Sequence, residues 1–209
     1  MQDEFERSVF VNCPFDPAFA PILQALLFCI LYFDLVPRLA TERVDSAEMR
    51  LEKIRGLIGA CRYSIHDLSR CEAAAVGERY RLNMPFELGI DYGCRHFAGG
   101  RWSEKKILVL EERAYRYQAA LSDIAGCDIA AHGGDFQIAV RKVRNWLVTE
   151  AAVGCRDGAQ RVIDAYLDFR SWHFERQTEA GFSAEDVRDQ PTAELLTAMR
   201  TWFAQGRPT

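Results

Sequence analysis

Apolar residues recur along this chain with two alternating periods. Short β-branched and aromatic runs are separated by longer stretches in which apolar positions return every three or four residues. The first kind of run marks a buried strand and the second a helix with one apolar face. The strand runs fall at residues 8–13, where Val9, Phe10 and Val11 are stopped by Pro14, and at 35–40, 63–68, 105–111 and 127–131. Between them the pattern predicts helices over 16–33, 46–61, 85–97 and 115–124. A further helix opens at Asp135, with Ile138, Val140, Val143, Trp146 and Leu147 as its core face. Asp16 and Ser46 read as N-caps, and Pro17 and Pro85 as first-turn prolines, which need no amide hydrogen. Five alternations of strand and helix predict an α/β fold: a five-stranded parallel sheet with helices on both faces.

Beyond Gly154 the strand pattern stops. Residues 159–179 carry Val162, Ile163, Tyr166, Leu167, Phe169, Trp172 and Phe174 at helical spacing. Ser183-Ala184-Glu185-Asp186 reads as a capping box, and Leu195, Leu196, Met199, Trp202 and Phe203 as a last apolar face. The expected organisation is an α/β domain over 1–152 and a helical appendage over 153–209, with Trp172, Trp202 and Phe203 in the appendage's own core. Residues 22–33 are strongly apolar but far short of the roughly 20 needed to span a bilayer. They predict a helix buried on most sides, with a subunit interface as one way of covering it.

Composition adds bounds. The chain has 209 residues, 49% hydrophobic and 27% charged, as in an ordinary soluble globular protein. A net charge of −4 gives no electrostatic case for nucleic acid or an anionic membrane as partner. The seven cysteines form no CxxC pair, so the sequence offers no zinc or iron–sulfur motif. They read as reduced, mostly buried thiols of a cytoplasmic protein, with Cys13 set apart by its place at a strand end.

The loops after the strands gather at one sheet edge, where open α/β folds bind ligands. The first loop brings Asn12, Cys13, Phe15 and Asp16. The third brings His66, Asp67, Ser69 and Arg70, then Asn83 and Glu87 at the next helix. A strand ending in Asp67 and a helix with Glu87 in its first turn place two carboxylates at that edge. Arg50 stands one turn into the second helix, within reach of an anionic ligand. Neither GxGxxG nor GxxxxGK[ST] occurs, so a nucleotide here would be held by sugar and base. A carboxylate over a ribose suits cleavage of an N-glycosidic bond, because positive charge builds on the sugar carbon. Nicotinamide leaves NAD without a general acid; a purine would need one, for which His66 and Asp67 are the candidates.

Three segments, in order, resemble the TIR-like and nucleoside 2-deoxyribosyltransferase-like superfamily. They are Asn12-Cys13-Pro14-Phe15-Asp16, His66-Asp67-Leu68 and Phe86-Glu87-Leu88-Gly89. The chain is closest in pattern, from Val9 to Trp146, to uncharacterised bacterial TIR-like proteins. The resemblance implies a flavodoxin-like domain in which Glu87 matches the catalytic carboxylate, with Asp67 beside it. Asn12, Phe15, Asp16, His66, Ser69, Asn83 and Arg50 would then contact the substrate. It also implies NAD glycohydrolase-type chemistry with NAD or a related nucleotide as substrate, no separate cofactor, assembly into oligomers and a role in bacterial anti-phage defence. Arg81-Leu82-Asn83-Met84-Pro85 stands where the transferases carry Asp-x-Gly-Thr, and a TIR BB-loop signature is missing. That departure favours hydrolysis over transfer. Two other readings use the same fold: a nucleotide sensor without turnover, and an oligomeric interaction module.

Overall fold

The computed structural model describes residues 4–70, 82–119, 121–154 and 157–208. A single helical turn, α1 (Glu4–Arg7), leads into β1 (Ser8–Asn12). Then follow α2 (Ala20–Tyr32), β2 (Val36–Arg38), α3 (Arg50–Ala60), β3 (Tyr63–Asp67), α4 (Asn83–Phe97) and β4 (Lys106–Glu111). The α/β part closes with β5 (Ala130–Ala131) and α5 (Phe136–Glu150). The five strands are all parallel, in the order β2-β1-β3-β4-β5, which is the flavodoxin-like doubly wound order. Pro37 sits inside β2, where an edge strand tolerates its missing N–H.

Side chains alternate between the faces of the sheet, and the sequence alternates with them. Val9, Val11, Tyr63, Ile65, Leu108 and Leu110 pack in one core with α2 and α5. Phe10 packs on the other face with Ile54, Leu57 and Ile58 of α3. Val109 and Leu68 share a third cluster with Met84 and Leu88 of α4. In register, Phe10 lies beside Ser64, Asn12 beside His66, and His66 beside Val109.

The C-terminal helices α6 (Ala159–Glu179), α7 (Ala184–Arg188) and α8 (Thr192–Ala204) form where the apolar spacing predicts. Ser183 caps α7 in the expected box with Asp186. These helices do not keep a core to themselves. Phe28 of α2 lies 5.4 Å from Tyr166, 5.6 Å from Phe169, 5.5 Å from Trp202 and 5.0 Å from Phe203, centroid to centroid. Trp202 is buried in that shared cluster, and the apolar face of α2 is covered within the chain.

Three local expectations shift. The helix expected from Asp16 starts at Ala20; Asp16 instead closes a turn by accepting the Phe19 N–H at 3.1 Å. The helix expected from Ser46 starts at Arg50, because Asp45 Oδ1 accepts the Ala47 N–H at 2.9 Å and holds a competing turn. The stretch 115–124 is two short 3₁₀ helices, Arg116–Ala119 and Ser122–Ile124, preceded by Tyr115 at φ 68°. Glu111 pulls this segment out of α-helical geometry by accepting from Arg116 Nε at 2.8 Å and the Tyr117 N–H at 3.1 Å. Among the cysteines, Cys13, Cys29 and Cys61 are buried, Cys94 is half-buried and Cys127 is exposed; Cys71 and Cys155 lie outside the described residues. No helix among the described residues is long and apolar enough to cross a membrane.

Candidate functional site at the switch point of the sheet

From β1 the chain crosses to β2 on one side, and β3 and β4 extend the sheet on the other. The crevice between the carboxyl ends of β1 and β3 is therefore the topological switch point. Asn12 and His66 close it from the sheet, and α4 crosses above. Asn12 Nδ2 donates to the Met84 carbonyl at 3.2 Å, which ties the end of β1 to the first turn of α4.

One bond fixes the next. The Met84 carbonyl demands the amide nitrogen of Asn12 on that side. The same nitrogen lies 3.0 Å from His66 Nδ1, which must then be the acceptor. The His66 proton is left on Nε2, which donates to Asp91 Oδ2 at 3.0 Å. Asp91 Oδ1 is 3.2 Å from Lys105 Nζ, and that ammonium donates to the Ile58 carbonyl at 2.9 Å and to the Cys61 carbonyl. His66, Asp91 and Lys105 are all fully buried. Burial alone would raise the Asp91 carboxyl, but His66 and Lys105 hold it below the usual aspartate range.

Glu87 stands over this chain in the second turn of α4, not in the first turn as expected, because the helix begins at Asn83. It is 5% exposed, and its Oε1 accepts from Arg50 Nη2 at 3.2 Å. Arg50 is the first residue of α3, and its side chain is 56% exposed. Burial raises the Glu87 carboxyl above the usual range, and the attraction and hydrogen bond of Arg50 offset this only in part. The site thus holds one buried carboxylate at elevated energy, with a guanidinium on its solvent side and an oriented amide beneath.

Asp67 lies elsewhere. Consecutive strand residues point to opposite faces, so His66 faces α4 while Asp67 faces the α2 and α5 side. Asp67 Oδ1 accepts the Ser69 N–H at 2.9 Å, and Oδ2 lies 3.0 Å from His132 Nε2. His132 Nδ1 accepts the Gly134 N–H at 3.0 Å, so its proton sits on Nε2 and points to Asp67; Ser69 Oγ is 3.1 Å from the same nitrogen. Asp67, Ser69 and His132 are buried and clamp the ends of β3 and β5 together. Cys13 has the parity of Val11 and lies on this side too. Burial pushes its thiol well above the ordinary range, and Asp67, Asp16 and Glu87 push it further, so it offers no thiolate.

The remaining predicted contacts disperse. Asp16 is held by Arg70, Nε to Oδ2 at 3.3 Å, and Arg70 also reaches Glu112 at 3.3 Å. Phe15 is exposed and, with Asp16, lines a separate cavity of about 290 Å³ against Gln24, Arg188 and Gln190. Asn83 is exposed and makes no capping bond. Residues 71–81, which join β3 to α4 and include Arg81 of the departing motif, lie outside the described residues. The structure therefore brings together Asn12, His66, Glu87 and Arg50. Asp91 and Lys105 complete that site and carried no signal beyond a buried-face position: Asp91 follows Glu87 by one turn, alongside Met84 and Leu88.

These features define a doubly wound α/β protein with an acidic site at its switch point. No protein-family model, curated protein or solved structure matches the chain.

Proposed function

We propose that the protein is an N-glycosidase that cleaves the nicotinamide–ribose bond of NAD or a related nucleotide, with Glu87 as the catalytic carboxylate. The observation that carries this reading is a buried, elevated Glu87 at the switch point, above an Asn12 amide held in one orientation. A carboxylate taken out of water gains most when a neighbouring carbon becomes cationic, as the ribose does on bond cleavage. The amide nitrogen of Asn12 is already spent on Met84 and His66, so its oxygen is the group that would accept a sugar hydroxyl. His66 and Asp67 are both committed to buried partners. A leaving group that needs protonation, such as a purine, therefore fits less well than nicotinamide, which leaves neutral. Arg50 would meet the phosphate side of the nucleotide. The TIR-like motif order supports the same reading, under which the protein would assemble into oligomers and act in bacterial defence.

The test is to incubate concentrated protein with NAD and follow nicotinamide by chromatography. Release by the wild type and loss of at least about a hundredfold in Glu87→Gln is expected, the scale of removing an electrostatic stabiliser. Absence of release, or equal release by both proteins, refutes it. A sensor reading is favoured by one observation, the Arg50 guanidinium seated on the Glu87 carboxylate. It predicts an NAD-dependent rise in melting temperature with no nicotinamide released.

A further inference from the structure

The connection from β4 to β5 leaves part of the sheet uncovered. A doubly wound fold places a helix there, but this chain has two short 3₁₀ turns. Ile107 and Val109 face the α4 side, and Ile107, Leu121, Ile124 and Ile129 remain only partly buried around the third core cluster. Between α4 and residues 121–128 lies a cavity of about 500 Å³. Its walls are largely apolar: Pro85, Leu88 and Tyr92 from α4, Ile107 and Val109 from the sheet, Leu121 and Ile124 opposite. Gly89 is part of the wall, and a Cβ placed there would meet nothing within 4 Å. Its φ is not positive, so neither backbone conformation nor close packing calls for glycine in this helix, where it is unfavourable. What its missing side chain leaves is room.

Two charged residues line the same cavity, Arg95 on α4 and Asp128 opposite. Arg95 has no ion-pair partner among the described residues. Pockets of this size and character bind small molecules, and their few polar groups fix orientation.

We propose that this cavity is a second binding site, distinct from the Glu87 crevice, for an amphipathic anion: a medium-chain carboxylate whose apolar tail completes the third core cluster and whose head pairs with Arg95. The tail supplies binding by leaving water, and Arg95 supplies selection for the charge. Asp128 opposes the same charge, so the two residues contribute with opposite signs.

Isothermal titration calorimetry with octanoate and with 1-octanol tests this on the full chain. Octanoate is expected to bind, with a negative heat-capacity change. Arg95→Gln should weaken octanoate about tenfold, Asp128→Asn should tighten it, and neither should move octanol. Gly89→Leu, a change toward better helix propensity, should keep the circular dichroism spectrum and lose both ligands. The proposal is overturned by no octanoate binding to the wild type, by octanoate affinity that ignores Arg95, or by a folded Gly89→Leu that still binds.

Discussion

Replacing Glu87 by glutamine should make the protein more stable at neutral pH. The side chain is 5% exposed, so folding takes its carboxylate out of water, and the amide avoids that penalty. Arg50 returns part of the loss, but its side chain is 56% exposed and its attraction is screened. The net direction is a raised carboxyl. The folded state then holds the proton more tightly than the unfolded state. Wild-type stability from this group is fully present below the ordinary glutamate value of about 4.3 and is lost as pH rises through the folded value. The expected gain for Glu87→Gln is that of a typical single substitution of a buried group, on the order of 1 kcal/mol at pH 7–8, or about 2–4 °C in melting temperature for a chain of this size. Below about pH 4 the gain should vanish. Paired urea or thermal denaturation of both proteins across pH reads the difference, and groups shared by both cancel. A Gln variant less stable at pH 8, or an advantage that does not depend on pH, would refute the reasoning.

Lys105→Met removes the ammonium that donates to the Ile58 and Cys61 carbonyls and takes the cation away from the buried Asp91 carboxylate. The expected loss is about 3–5 kcal/mol in urea unfolding at pH 7. Because the Asp91 carboxyl is held low, the stability it contributes is present above the ordinary aspartate range and lost as pH falls through its folded value. The variant's deficit should shrink in acid, and a constant deficit would count against the ion pair. Phe28→Ala removes the ring on which Tyr166, Phe169, Trp202 and Phe203 converge. A loss of about 3–5 kcal/mol is expected, in a single transition seen alike by tryptophan fluorescence and circular dichroism. Two separate transitions would mean that the C-terminal helices unfold on their own.

The sheet was legible because β-branched runs at 8–13, 63–68 and 105–111 have no competing local structure, and Asp135 caps α5 as read. Helix starts were harder. Ser46 and Asp45 both offer side-chain oxygens to nearby amides, and only the surrounding contacts decide that Asp45 makes a turn and the helix waits for Arg50. The segment 115–124 was lost to Glu111, a few residues upstream at the end of β4, whose carboxylate neither the helical nor the strand period connects to Tyr117. For the site, proximity in sequence was misleading where parity was informative. His66 and Asp67 are neighbours, yet the period of two that defined the strand already sends them to opposite faces. Applied to the polar residues as strictly as to the apolar ones, it separates Asp67 from Glu87. Lys105, on the parity of Ile107 and Val109, falls on the α4 side by the same rule, where Asp91 meets it; His132 could not be placed this way, since it lies beyond β5 and acquires its partner only when the sheet is assembled.

The rings around Phe28 also set an order of events during synthesis. Its four partners from the C-terminal helices lie more than a hundred residues downstream, the last of them Phe203. At about 5–20 residues per second, roughly ten to thirty seconds separate the emergence of α2 from that of α8. Through that interval the most apolar helix of the chain can be paired with the sheet but not finished. The nascent protein must carry a sticky aromatic surface until almost its last turn has been made, and a chaperone that shields such surfaces would find its longest-lived binding site there.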